Sequence, residues 1–154
     1  MSLLKSDIKK AAGPLQVCAG HNGGVEAAVH AMKKVFEDPT TKAVKLVDAT
    51  NAFNSMNRQT ALHNMQITCP EMATYLLNTY RSPPSLFVSN SNGIEILSEE
   101  GCTQGDNAGM SFYACNTVPL ITLLHHAVSC HQAWFAHDSA SAGKIRSTKE
   151  WWND

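Results

Sequence analysis

The sequence predicts an α+β fold in which helices cover one face of a mostly antiparallel sheet. Three observations carry that expectation. Segments of helical and strand periodicity follow in the order helix, strand, two helices, hairpin, helix, hairpin. Two pairs of strand-like runs are joined by short stretches rich in Asn, Asp, Ser and Gly, which close antiparallel hairpins and not crossovers. Charged residues make up 16% of the 154, below the ~25% of an average soluble domain, so the chain has the apolar content for one core.

The first helix is read from "NGGVEAAVHAMKKVFE" (22–37), where Val25, Ala28, Val29, Met32, Val35 and Phe36 recur at helical spacing behind Asn22 as a cap. "DPTT" stops it. "KAVKLVD" alternates as a short strand ending on Asp48. A second helix is expected from Asn57 through "RQTALHNM". A third begins at Pro70, with Ala73, Leu76, Leu77 and Tyr80 on one face, and ends at "RSPP". "SLFVS" and "GIEILS" flank "NSNG", a hairpin signal. The longest apolar segment, "NAGMSFYACNTVPLITLLHHAV", is apolar around nearly its whole circumference and predicts a buried helix bent at Pro119. Last come the strand "HQAWFA", a turn at "HDSASAG", and a return strand cut short at "WWND".

Several function classes fall away on composition. A net charge of −1 provides no global basic field for nucleic acid, so any such binding needs a local patch. Five cysteines without a C-x-x-C pair read as reduced thiols, which places the chain inside the cell. Seven histidines include no H-E-x-x-H, and Cys130-His131 lacks the second half of a zinc site. "MSLLKSDIKK" lacks the apolar core of a secretory signal, and no stretch approaches ~20 uninterrupted apolar residues, so no membrane partner is expected.

The sharpest feature is "WFAHDSAS" (134–141), which sets His137 and Asp138 between an aromatic pair and small residues. An unpaired carboxylate beside an apolar strand is costly to desolvate and is normally met by a cap, a cation or a metal. Asp, Ser, Ala and Gly also suit a hairpin tip, so an Asx-turn is the plain alternative. If the strand ending at Asp48 neighbours this hairpin, the two carboxylates meet at one sheet end.

Three stretches then fall into a familiar order. "VDATNAFNSMNR" (47–58) resembles motif A of reverse transcriptases, with Asp48 and, five positions on, Phe53. "EGCTQGDNAGMSFYA" (100–114) resembles motif B through Gln104 and Gly105, and "WFAHDSA" (134–140) resembles motif C. The upstream "HNGGVEAAVHAM" is similar to the helix before motif A in non-LTR-like mobile elements. The resemblance spans residues 13–145 as a partial fingers and palm domain, leaving 1–12 and 146–154 as terminal segments. It implies a palm-like sheet, RNA-directed DNA polymerase activity, a two-metal Mg²⁺ site held by Asp48 and Asp138, and template-primer and deoxynucleotides as partners. It further implies that Phe53 lies under the nucleotide sugar and excludes a 2′-hydroxyl, and that Gln104 and Gly105 support nucleotide and template. Phe53 also suits an ordinary core position, and Gln104-Gly105 a helix-entry turn capped by Asp106.

The departures shape the expectation. His137 stands where the family has its first motif C aspartate; an imidazole offers one lone pair and no negative charge, which suits Mn²⁺ or zinc better than Mg²⁺. Asn107 stands where the family usually has Pro. A basic finger segment is not recognisable before Gly13, and no thumb follows, so the chain reads as a fragment of a decayed mobile element with impaired catalysis. Its uncovered apolar surface is expected to include Trp151 and Trp152. Two alternatives remain: a non-catalytic chain that binds nucleic acid or a partner, and a thiol hydrolase using Cys102 or Cys130 with a histidine base.

Overall fold

The computed structural model describes residues 4–103 and 105–152. Among them the chain forms seven helices, a three-stranded sheet and a separate two-stranded one, both antiparallel. Helices α1 (Lys5–Ala12) and α2 (Gly24–Glu37) precede strand β1 (Ala43–Asp48). Helices α3 (Ala52–Ser55), α4 (Arg58–Thr68) and α5 (Pro70–Tyr80) follow. Strands β2 (Ser85–Phe87) and β3 (Glu95–Leu97) form the small hairpin, and α6 (Gly109–Ala127), β4 (His131–Phe135), β5 (Asp138–Gly143) and α7 (Ile145–Glu150) complete the chain. No helix among the described residues is long and apolar enough to cross a membrane.

Local chemistry accounts for most boundaries. Asn57 caps α4 by accepting from the Thr60 N–H at 2.8 Å. Pro70 opens α5, where a missing N–H costs nothing, and Met72, Ala73, Leu76 and Tyr80 are buried on one face. The start of α2 differs from expectation. Asn22 does not cap it; its side chain accepts from Lys5 Nζ at 2.6 Å, and Gly23, at φ 62, occupies the cap position. The next residue must be small as well, because a Cβ on Gly24 would lie 2.1 Å from the Val17 carbonyl oxygen.

The main sheet has the order β1-β5-β4. Its register aligns Asp48, Asp138 and Phe135 in one row, and Leu46, Ala140 and Ala133 in the next row on the same face. The opposite face carries Val47, Ser139 and Trp134, then Lys45, Ser141 and Gln132. The C-terminal half of α6 and the segment around α7 cover that second face through Ile121, Leu124 and Trp151. Helix α2 lies against the first face, so the sheet is not covered on one side alone. The larger core sits beyond the sheet, where α1, α4, α5 and α6 close around Phe112, Met65, Met72 and Leu76.

Four expectations change here. "HDSASAG" is not a turn: the bend is Ala136–His137, and residues 138–143 are the central strand. Small residues look like a turn by composition, but here they leave room for bulky neighbours. Trp151 is fully buried, not part of an exposed patch; it packs against Trp134 at a tilt of 59° with ring centroids 5.5 Å apart, and both indole N–H groups donate to Gln132 Oε1 at 3.0 Å. Trp152 is partly exposed, as expected. Among the described residues no return strand forms after β5; α7 occupies residues 145–150, while α1 packs on α6 through Ile8 and Ala12. Finally, α6 is buried from Gly109 to Cys115 except at Met110, but beyond Pro119 only Ile121 is buried and Leu120 and Leu123 face outward.

Candidate metal centre

Asp48 and Asp138 are direct partners at one end of the β1–β5 ladder. Their side chains leave the same face because paired residues in an antiparallel ladder share an orientation. His137 fills the second position of the hairpin bend, and its Nε2 lies 3.5 Å from Asp48 Oδ1. One carboxylate oxygen from each aspartate and one His137 ring nitrogen lie within 4.8 Å of one another. With the Asp48 side chain 75% exposed, its contact with His137 contributes little to stability, about 0–1 kcal/mol. The three donors therefore converge without binding one another strongly, an arrangement open to a cation.

The bend is held from behind. Ala136 adopts φ 53, unfavourable for a residue with a Cβ. The buried Gln16 side chain reads both faces of its peptide groups: Oε1 accepts from Ala136 N–H at 2.9 Å, and Nε2 donates to Ala136 O at 3.1 Å. Nε2 also donates to Thr117 Oγ1 at 3.1 Å, tying the bend to α6. The backbone around Gln16 runs along the β4 edge, with Val17 N–H donating to Trp134 O and Trp134 N–H to Leu15 O, both at 2.9 Å. Sequence reasoning missed Gln16; the only available signal was one polar residue inside "PLQVCA".

Phe53 joins the same neighbourhood. Its ring packs on Tyr113 with centroids 4.6 Å apart and meets His137 edge-on at 5.7 Å. The loop after β3 reaches Phe53 through its backbone, since Cys102 N–H donates to Phe53 O at 2.9 Å. That approach needs Gly101, at φ 70, because a Cβ there would lie 2.4 Å from the same carbonyl. Gly105 is exposed at φ 90 with open space around it, and nothing brings it against the aspartates. Gln104 lies outside the described residues. Asp106 does not cap α6, whose N-cap position is Ala108 without a side-chain bond; its carboxylate closes a turn just before the helix, accepting from Ala108 N–H at 2.8 Å and from the Tyr80 hydroxyl.

Beside the aspartates a cleft of about 560 Å³ opens between α2 and the sheet, walled by Val25, Val29, Met32, Leu46 and Phe135. It is apolar except at the end that carries Asp48 and Asp138.

The donor set fits a divalent ion with mixed oxygen and nitrogen preference. Two carboxylates satisfy Mg²⁺, whereas the imidazole suits Mn²⁺ better. The thiol chemistry fares worse. Burial pushes Cys102 up to about 11 and raises Cys130, so neither supplies a ready thiolate at neutral pH. No family model matches the chain, and no curated protein gives a significant match.

Proposed function

We propose that this chain is a palm-type nucleotidyl-transfer domain of the reverse transcriptase kind, impaired by His137. The observation that carries the reading is the in-register pairing of Asp48 with Asp138 on adjacent antiparallel strands, with His137 and Phe53 at the same end. The order of the three motif-like stretches along the chain agrees with it. In this reading Asp48, Asp138 and His137 hold the metal, Mg²⁺ by resemblance and Mn²⁺ by donor chemistry. A divalent cation there supplies charge stabilisation to a phosphoryl group under attack. Phe53, backed by Tyr113, presents a flat apolar surface where a nucleotide sugar would rest and offers no partner to a 2′-hydroxyl. Gln16 keeps the bend from relaxing and so fixes the spacing of the two carboxylates. Template-primer and deoxynucleotides are the partners this reading assigns.

Loss of one carboxylate weakens the hold on metal, since the imidazole brings no negative charge. Extension of a labelled primer on an RNA template tests this, with Mg²⁺ and with Mn²⁺, for the natural chain, His137→Asp and Asp48→Ala. Activity that rises in His137→Asp and vanishes in Asp48→Ala supports the reading. No activity in any variant with either metal removes it.

The second reading, a non-catalytic chain that binds a partner, has its own support. The β2–β3 hairpin is exposed throughout and carries Leu86, Phe87, Ile96 and Leu97. Apolar surface of that extent on one hairpin is what a protein partner would cover. Metal-independent assembly with another chain, without any nucleotidyl transfer, would favour it.

A further inference from the structure

We infer that the sheet end remote from Asp48 and Asp138 is a binding pocket for a phosphate-type oxyanion. Three connections converge there: the loop between α2 and β1, the turn between α6 and β4, and Gly143–Lys144 between β5 and α7. They enclose about 590 Å³, room for a phosphate and a small organic group. The walls carry His125 and His126 from α6, His131 from β4, and Lys144, with the hydroxyls of Ser129 and Ser147. Among the described residues no carboxylate lines the pocket. In a chain of net charge −1 this is a local concentration of cationic and donor groups.

The donor chemistry decides between an anion and a metal. A phosphate accepts hydrogen bonds on all its oxygens, so ammonium, imidazolium and hydroxyl donors spread around a cavity satisfy it without touching one another. A metal needs its ligand atoms gathered. Among the described residues the three-donor group that gathers is Asp48, His137 and Asp138, not the histidines of this pocket. Cys130 keeps its proton, because burial raises its thiol. The acid nearest in sequence to the wall, Asp38, is already engaged: its Oδ1 accepts from Thr40 N–H at 2.7 Å and from Thr40 Oγ1 at 2.6 Å. These two bonds hold its carboxyl below the usual range, with the charge of His131 a smaller cause.

Among the described residues the titratable groups that face the pocket are the three imidazoles, Lys144 and Cys130, with Asp38 behind Thr40. The test is an NMR titration of the imidazole C–H signals with inorganic phosphate, with adenosine 5′-monophosphate and with Zn²⁺, at pH 6.0 and pH 8.0. Expected are saturable shifts at His125, His126 and His131 with phosphate at pH 6.0, with a dissociation constant of roughly 1 mM or tighter. Lys144→Met and His126→Asn should each weaken binding by roughly fivefold or more, while Asp48→Ala leaves it unchanged. A tighter fit for the nucleotide than for phosphate assigns the ligand to phosphomonoesters; equal affinity assigns it to the free ion. No saturable shift, undiminished binding in both pocket variants, or a response to Zn²⁺ alone would overturn the proposal.

Discussion

The side-chain amide of Gln16 grips Ala136 at both its N–H and its carbonyl, 120 residues away in sequence. The bend that presents His137 is thus specified by a residue from the start of the chain. Both Ala136 groups are buried, so removing the amide leaves two polar groups without partners. Gln16→Leu should therefore destabilise the fold by about 2–4 kcal/mol, since each unsatisfied buried group costs roughly 1–3 kcal/mol. Urea unfolding monitored by tryptophan fluorescence measures this; a loss under about 0.5 kcal/mol would mean the bend holds itself.

Metal preference follows from the mixed donor set. The natural chain should bind Mn²⁺ more tightly than Mg²⁺, and His137→Asp should narrow that difference by exchanging a nitrogen donor for a carboxylate. Free-Mn²⁺ titration by electron spin resonance, with Mg²⁺ as competitor, reads the preference directly. In primer extension with Mg²⁺, the natural chain should run roughly 10²–10³-fold slower than His137→Asp, the usual effect of losing one stabilising charge. Equal rates would contradict the role given to His137.

Alkaline pH should weaken the fold through its buried thiols. Burial pushes Cys115 from the ordinary 9.0 up to about 12, and Cys18 up to about 11. A thiol that holds its proton more tightly when folded stabilises the fold fully below the unfolded value and loses that contribution as pH rises toward the folded one. The denaturation midpoint should therefore fall between pH 9 and pH 12, and Cys115→Ala should flatten that fall. An unchanged slope in the variant would point to other groups.

Trp151 belongs to the core on the sheet face that carries Trp134. Trp151→Ala should cost about 3–5 kcal/mol, the range for removing a fully buried large aromatic. It should also free the Gln132 amide oxygen from one of its two indole donors. Thermal unfolding followed by circular dichroism checks the magnitude; a surface role for Trp151 predicts no measurable change.

What the sequence made legible was whatever rests on local chemistry or on fixed spacing. Asn57 and Pro70 mark their helices because capping and the missing proline N–H act within one turn. The meeting of Asp48 with Asp138 was readable because a strand end and a hairpin carried the acids, and register follows once those strands pair. The positions that misled depend on partners far along the chain. Nothing near "SASAG" shows that two tryptophans need the space its small side chains leave. Gln16 looks like a loop residue until Ala136 is placed against it. The outer half of α6 reads as core because composition reports apolarity and not whether a neighbour arrives to cover it.

The thinness of β5 sets how the chain tolerates substitution over time. Ser139 and Ser141 are buried on the sheet face that carries Trp134, the face packed by Trp151, so a larger side chain at either position has to be accommodated within a packed layer. Ala140, one residue over, points to the open cleft instead, where a larger side chain has room. Drift along this strand should therefore alternate, strict at 139 and 141 and permissive at 140, and a bulky residue at 140 would narrow the cleft beside the aspartates while leaving the fold intact.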